Sequence, residues 1–214
     1  MKKIMFNDKY GLTQAVLEGR KTMTRRIVPI NLYNQTDWKA VEEGNYMAVI
    51  DGDGYISDIR FCGNYGIGDV IAIAQAYKDV NCAGYPVDSR YDPFRTAYYS
   101  VGCVKESNGG WNNKMFVKAD LMPHHIKITN VHVERLQDCS DDDILKEGVF
   151  QISAPIYRHY NGIGYTFKGW TERGVECSSD TPKGAFKALI DKTCGRGTFE
   201  SNPYVFAYSF MLLD

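Results

Sequence analysis

Gly19-Arg20-Lys21-Thr22-Met23-Thr24-Arg25-Arg26 is the stretch on which the reading of this chain turns. It follows a short apolar repeat and ends just before Pro29. Upstream, residues 8–19 predict a helix. Asp8 can cap its start, Leu12 and Val16 repeat at i and i+4, and Gly19 can take the left-handed position that ends it. Within the stretch, Arg20, Arg25 and Arg26 surround Lys21, and like charges favour loss of its proton. Lys21 and Thr24 stand three apart, so a turn or helical bend would put them on one side. Read on its own, such a stretch is a solvated connection with a capping Thr.

Outward from it, residues 46–59 predict a hairpin. Two β-prone runs, Tyr46–Ile50 and Tyr55–Ile59, flank Asp51-Gly52-Asp53-Gly54. The two Asp do not make a calcium loop, because the later ligands and the closing Glu are missing. Gly68-Asp69 introduces Val70-Ile71-Ala72-Ile73-Ala74, an apolar run that predicts a buried strand. Residues 78–95 read as a long loop. Thr96–Cys103 and Met115–Lys118 are further expected strands around the turn at Asn108-Gly109-Gly110.

Ile126, Ile128, Val131 and Val133 predict a strand whose alternation slips at Thr129-Asn130, as at a β-bulge. Ser140 followed by Asp141, Asp142 and Asp143 predicts a helix start, with Gly148 at its end. Thr181-Pro182 predicts another, with Phe186, Leu189 and Ile190 as its apolar stripe. Tyr204–Leu213 reads as a last, aromatic-rich strand. Strands dominate and helices are short. The expected class is α+β, mostly β: a mixed or antiparallel β-barrel with short peripheral helices.

Composition narrows the function. The chain has 214 residues, with 44% hydrophobic and 24% charged, as expected of a soluble globular protein. A net charge of −1 argues against holding long nucleic acid by its phosphates. No apolar run approaches the length of a membrane span, and the start is not that of a signal peptide. Cys62, Cys82, Cys103, Cys139, Cys177 and Cys194 form no C-x-x-C pair and read as reduced thiols of a cytoplasmic protein. The four His show no H-x-x-x-H pair, so neither a metal nor a cofactor is expected.

Four stretches taken in order resemble the ASCH superfamily, whose fold is a PUA-like β-barrel. They are Val16–Arg26; Gly68-Asp69-Val70-Ile71; Val131–Ser140 running on to Glu147-Gly148-Val149; and Phe186–Asp191 followed by Asn202–Phe210. The resemblance covers the chain and is closest to phage and prophage-type members. It implies one domain over 1–214, with insertions near 31–61, 78–113 and 150–180. It also implies a role with RNA or a modified nucleoside, at a pocket centred on Gly19–Arg26.

In the small bacterial amidohydrolases of this superfamily, which deacetylate N4-acetylcytidine, a Lys, a Thr and a Glu are implicated. Lys21, Thr24 and Glu147 match them here. Lys21 would activate Thr24 or a water, and Glu147 would shuttle the proton. Arg20, Thr22, Arg25 and Arg26 would face the ligand. Phage-type relatives carry Arg-Glu and then an aromatic after the Gly-Asp strand. This chain has Ala74-Gln75-Ala76-Tyr77, which makes Gln75 and Tyr77 ligand-facing candidates with altered polarity. Three readings follow: a module binding RNA or a modified nucleoside, an amidohydrolase of N4-acylated cytidine-like substrates, and a phage accessory protein that binds a protein partner.

Overall fold

The computed structural model describes residues 1–28, 38–40, 46–50, 56–76, 114–115, 117–157, 160–172 and 175–213. In chain order its elements are strand β1 (Lys3–Ile4), helix α1 (Leu12–Leu17), and strands β2 (Met23–Ile27), β3 (Trp38–Ala40), β4 (Tyr46–Ile50), β5 (Ile56–Cys62), β6 (Val70–Ile73) and β7 (His125–Arg135). Then come helix α2 (Asp141–Lys146), strands β8 (Phe150–Tyr157), β9 (Tyr160–Thr166), β10 (Thr171–Glu172) and β11 (Val175–Glu176), helices α3 (Pro182–Cys194) and α4 (Thr198–Ser201), and strand β12 (Tyr204–Leu212). Strand exceeds helix, so the chain is α+β as its patterning predicts. The backbone groups into two compact units: Met1–Phe6 with Val70–Ile126 and Leu213–Asp214, and Asn7–Asp69 with Lys127–Leu212.

In the first unit β1 lies parallel to β6, Lys3 beside Ala72 and Ile4 beside Ile73. The apolar run forms the expected strand. Ile71, Ala72, Ile73 and Ala74 are fully buried, whereas Val70 is exposed. Ala72 packs with Val117 and Met122. The expected strand over Met115–Lys118 does not form among the described residues. Its carbonyls turn instead to an ammonium: Lys3 Nζ donates to the carbonyl oxygens of Lys114, Met115 and Val117, the last at 2.7 Å. The segment 78–95 and the expected strand Thr96–Cys103 lie outside the described residues.

Strand neighbours run β1-β6 in the first unit and β7-β12-β2 in the second. The pairing is parallel at β1-β6 and antiparallel at β12-β2, so both kinds of ladder are present. β3-β4-β5, β8-β9 and β10-β11 are separate antiparallel sheets. The β4–β5 pair is the hairpin expected across 46–59.

Local signals place the helices. Ser140 Oγ accepts from the Asp143 amide at 3.2 Å, capping α2 as expected. Thr181 Oγ1 accepts from the Gly184 amide at 3.1 Å, and Pro182 opens α3. Phe186 and Leu189 are buried and Ile190 half-buried on its inner stripe, joined by Pro182 and Ala185. Helix α1 is shorter than predicted. It starts at Leu12 behind Gly11, whose φ of 63° is left-handed. Asp8 is not its cap, because its carboxylate accepts from the Thr13 hydroxyl at 2.6 Å. In β7, Ile126, Ile128 and Val131 are buried with Thr129 and Asn130 exposed between them, so the alternation slips where the sequence says.

Candidate functional site

Of the described residues at the predicted site, all but Gln75 lie in the second unit. Gly19, at φ +71°, turns the chain out of α1, and the Lys21 amide donates back to Ala15 O at 2.9 Å. Two backbone bonds then fix Thr22: its amide donates to Lys146 O at 3.0 Å, and its carbonyl accepts from the Phe210 amide at 2.9 Å. The segment is thereby tied to the end of α2 and to β12 before any side chain acts.

Met23 to Ile27 then form a strand, not the turn or helical bend expected. This changes the geometry of the predicted pair. Alternate residues of a strand point to opposite faces, so Thr24 and Arg26 share one face and Met23 and Arg25 the other. Opposite them on β12, Tyr208 pairs with Thr24, Ala207 with Arg25 and Phe206 with Arg26.

On the Arg25 face lies a buried cluster of charges. Lys21 Nζ donates to Met23 O and Glu147 O, both at 2.8 Å, and to Glu147 Oε2 at 2.5 Å. Arg25 Nη1 donates to Glu147 Oε1 at 3.1 Å, and its Nε donates to Glu134 Oε1 at 2.6 Å. The Lys21, Arg25 and Glu147 side chains are 2%, 1% and 6% exposed. Two cations thus face two carboxylates out of water, where an unmatched charge would be costly. Asp143 Oδ2 stands 3.8 Å from Arg25 Nη2, and the Phe186 ring lies 5.9 Å from the guanidinium carbon.

The local fold explains why Glu147 can reach in. It caps the C-terminus of α2, and Gly148 follows at φ +104°. A side chain at Gly148 would meet Leu12 Cδ2 at 3.0 Å and Lys21 Cδ at 3.7 Å.

Burial and charge pull these groups in different directions. Burial pushes the Lys21 ammonium below the usual lysine range; Glu147 offsets this in part, and Arg26 and Arg25 add to it. Burial also works against the Arg25 charge, but Glu147 and Glu134 outweigh it and hold the guanidinium proton more tightly than usual. For Glu134, burial is outweighed by the His132 hydrogen bond and by Arg25, so its carboxyl lies below the ordinary range. Burial pushes the nearby Cys139 thiol up to about 11.

The structure therefore brings Lys21, Arg25 and Glu147 together. Thr24 is buried, but among the described residues its hydroxyl makes no hydrogen bond to Lys21 or Glu147. Arg20 is exposed and paired with Glu18. Thr22 and Arg26 are half-buried. Gln75 is buried in the first unit, its Oε1 without a hydrogen-bond partner among the described residues. Tyr77 lies outside the described residues.

Comparisons with models of protein families, with curated proteins and with solved structures find no match. Among the described residues no three His, Cys, Asp or Glu side chains gather as metal ligands would, and no helix is long and apolar enough to cross a membrane.

Sequence reasoning assigned no role to Glu134 and read Asp143 only as an acid at a helix start. The signal for Glu134 was its place beyond the slipped alternation of β7, where a periodic argument no longer says which side chains face inward. Tyr208 was also missed. Its ring stacks near Phe206 at 6.2 Å and meets Tyr65 edge-on at 5.3 Å, and burial raises its phenol above the ordinary value.

Proposed function

We propose that the chain is a binding module of the ASCH superfamily with a PUA-like barrel, taking a modified nucleoside or an RNA end at the Gly19–Arg26 segment. The observation that favours binding over chemistry is how Lys21 is held. An ammonium has three N–H donors and no acceptor, and three acceptors stand around this one. So arranged, it fixes α2 to the segment and takes no proton from Thr24, which faces the other side of β2. That other side carries Thr24, Arg26, Phe206 and Tyr208, of which Arg26 is half-buried and the other three are buried. A hydroxyl, a cation and aromatic rings are the groups with which single-stranded RNA is ordinarily read. The net charge of −1 suits a small ligand better than a long strand.

Thermal-shift titration with cytidine, N4-acetylcytidine and short single-stranded RNA tests this. A rise in melting temperature with one of them, lost in Arg26→Ala, supports the reading. No rise with any of them rejects it.

The amidohydrolase is a second reading, favoured by one observation. Lys21 Nζ and Glu147 Oε2 lie 2.5 Å apart out of water, with the Lys21 proton loosened by burial, as in a proton-transfer pair. Chromatography of N4-acetylcytidine incubated with the protein separates the two. Release of cytidine and acetate that Lys21→Ala abolishes would establish hydrolysis, and intact substrate would leave binding.

A further inference from the structure

In the second unit β7, β12 and β2 lie side by side, and the last residue of β7 is an exposed arginine. Successive strand residues face opposite ways, so Glu134 and Arg135 part at the end of β7. Glu134 turns to Arg25 and accepts from its Nε. Arg135 lies over Tyr204, its guanidinium carbon 3.7 Å from the ring centroid. Tyr204 shares its side of β12 with Phe206 and Tyr208, the residues opposite Arg26 and Thr24.

The corner that holds Arg135 is built in detail. Its Nη1 donates to Asn202 O at 3.1 Å. Asn202, at φ 45°, is alone among the described non-glycine residues in the left-handed region. Its Oδ1 accepts from the Gln137 amide at 2.8 Å, and Gln137 Nε2 donates to Phe199 O at 2.9 Å. The Leu136 amide donates to Pro203 O at 3.0 Å. Backbone in a sparsely populated region persists where its surroundings over-determine it, and such positions gather at ligand clamps.

That anchoring leaves one edge of the guanidinium uncommitted. Nε and Nη2 carry two N–H groups that point the same way, and among the described residues neither has a partner. Such a planar fork matches two oxygens of one phosphate. Lys183 adds a second cation at this corner, its Nζ donating to Gln137 O at 2.7 Å. Arg26, opposite Phe206, is two strand residues from the level of Tyr204, or about 7 Å. Two arginines therefore border this side of β12 within the length of a short oligonucleotide.

We infer that the free edge of Arg135 is a subsite for a backbone phosphate of single-stranded RNA. Tyr204 and Asn202 hold the guanidinium flat and in place, and two phosphate oxygens take its Nε and Nη2 protons. The choice of RNA rests on the reading of β2; the oxyanion subsite rests on Arg135 and its anchors. A free nucleoside carries no phosphate and leaves this subsite empty.

The test is isothermal titration calorimetry of the whole chain with cytidine, the trinucleotide CpCpC and hexaglutamate. The trinucleotide should bind about tenfold tighter than cytidine, and hexaglutamate more weakly than the trinucleotide. Arg135→Lys, an exposed substitution, keeps the charge and loses the fork. It should weaken the trinucleotide about tenfold and leave cytidine unchanged. The inference is overturned if the trinucleotide binds no tighter than cytidine, or if Arg135→Lys binds it as the parent does. Hexaglutamate binding as tightly as the trinucleotide also overturns it, since the corner would then be a general anion patch. If Arg135→Lys weakens the trinucleotide but Arg26→Ala does not, the subsite stands and the reading of β2 falls. No binding of any of the three rejects both.

Discussion

Lys21 and Glu147 stand 126 positions apart in the chain, yet Lys21 Nζ lies 2.5 Å from Glu147 Oε2 with both side chains almost wholly out of water. Arg25 and Glu134 extend the cluster, with Asp143 3.8 Å from the Arg25 guanidinium. Removing one member leaves its partners buried and unmatched. Glu147→Ala should therefore cost about 3–5 kcal/mol, read from urea unfolding, since it strands two cations at once. Lys21→Met should cost less, because Glu147 keeps Arg25. Equal losses for the two variants would mean that Arg25 does not share Glu147.

Arg25→Lys removes the fork without removing the charge. Arg25 reaches Glu134 with Nε and Glu147 with Nη1, a geometry that a point-like ammonium cannot copy. The variant should lose about 1.5–3 kcal/mol, the scale of a hydrogen bond to a charged group. An unchanged urea midpoint would show that one of the two contacts contributes nothing.

Acid should loosen the same cluster. Glu134 has its carboxyl held below the ordinary range once His132 and Arg25 overcome the effect of burial. Near and below the ordinary value of about 4.3 the unfolded chain binds more protons than the native one, so stability falls as pH drops through that window. Above it the contribution is fully present. Glu134→Gln should flatten the acid limb of a stability–pH profile, and an identical limb would remove Glu134 from the account.

The thiols should differ in reactivity. Cys139 is buried with its thiol pushed up to about 11, while Cys194 is exposed. Only the thiolate attacks an alkylating agent. At pH 8, mass spectrometry should find Cys194 alkylated by iodoacetamide well before Cys139. Comparable rates would mean that the Arg25 cluster opens readily.

Gly63 sits where a side chain cannot. A Cβ there would fall 1.9 Å from the Tyr208 hydroxyl oxygen and 3.0 Å from the Phe206 ring. Gly63→Ala must displace Tyr208, the residue opposite Thr24, and should cost about 1–3 kcal/mol as overpacking does. Adding Tyr208→Phe should recover part of that loss in thermal melts. No recovery would place the strain at Phe206 instead.

What the sequence disclosed follows a physical line. Ser140, Thr181-Pro182 and Gly19 were legible because caps and left-handed turns are settled within a few residues. Ile71 to Ala74 was legible because an unbroken apolar run must be buried. Strand β2 was not, since two adjacent arginines hide a strand whose inward polar residue is neutralised by Glu134 and Glu147 from elsewhere in the chain. The β8–β9 pair was masked by Pro155 in one strand and by Gly162 and Gly164 in the other, residues that disfavour strands. No local pattern could announce that Lys3 would gather the carbonyls near Met115. At the site, Lys21 and Glu147 were legible as candidates through the resemblance, but their contact was not. The side of the chain on which Thr24 falls depends on β2 being a strand.

The order in which this chain is made bears on when it can fold. Residues 1–6 are made before their partners: β1 must wait for β6, and the Lys3 ammonium for carbonyls more than a hundred residues later. Strand β2 waits longer still, because its neighbour is β12, at Tyr204–Leu212. Neither unit can close before those partners are made. Both depend on contacts between distant parts of the chain, the kind that form slowly and leave apolar strands uncovered meanwhile. The nascent polypeptide should thus emerge with β2 and its buried arginine still solvated, and acquire its charge cluster only after translation has passed β12.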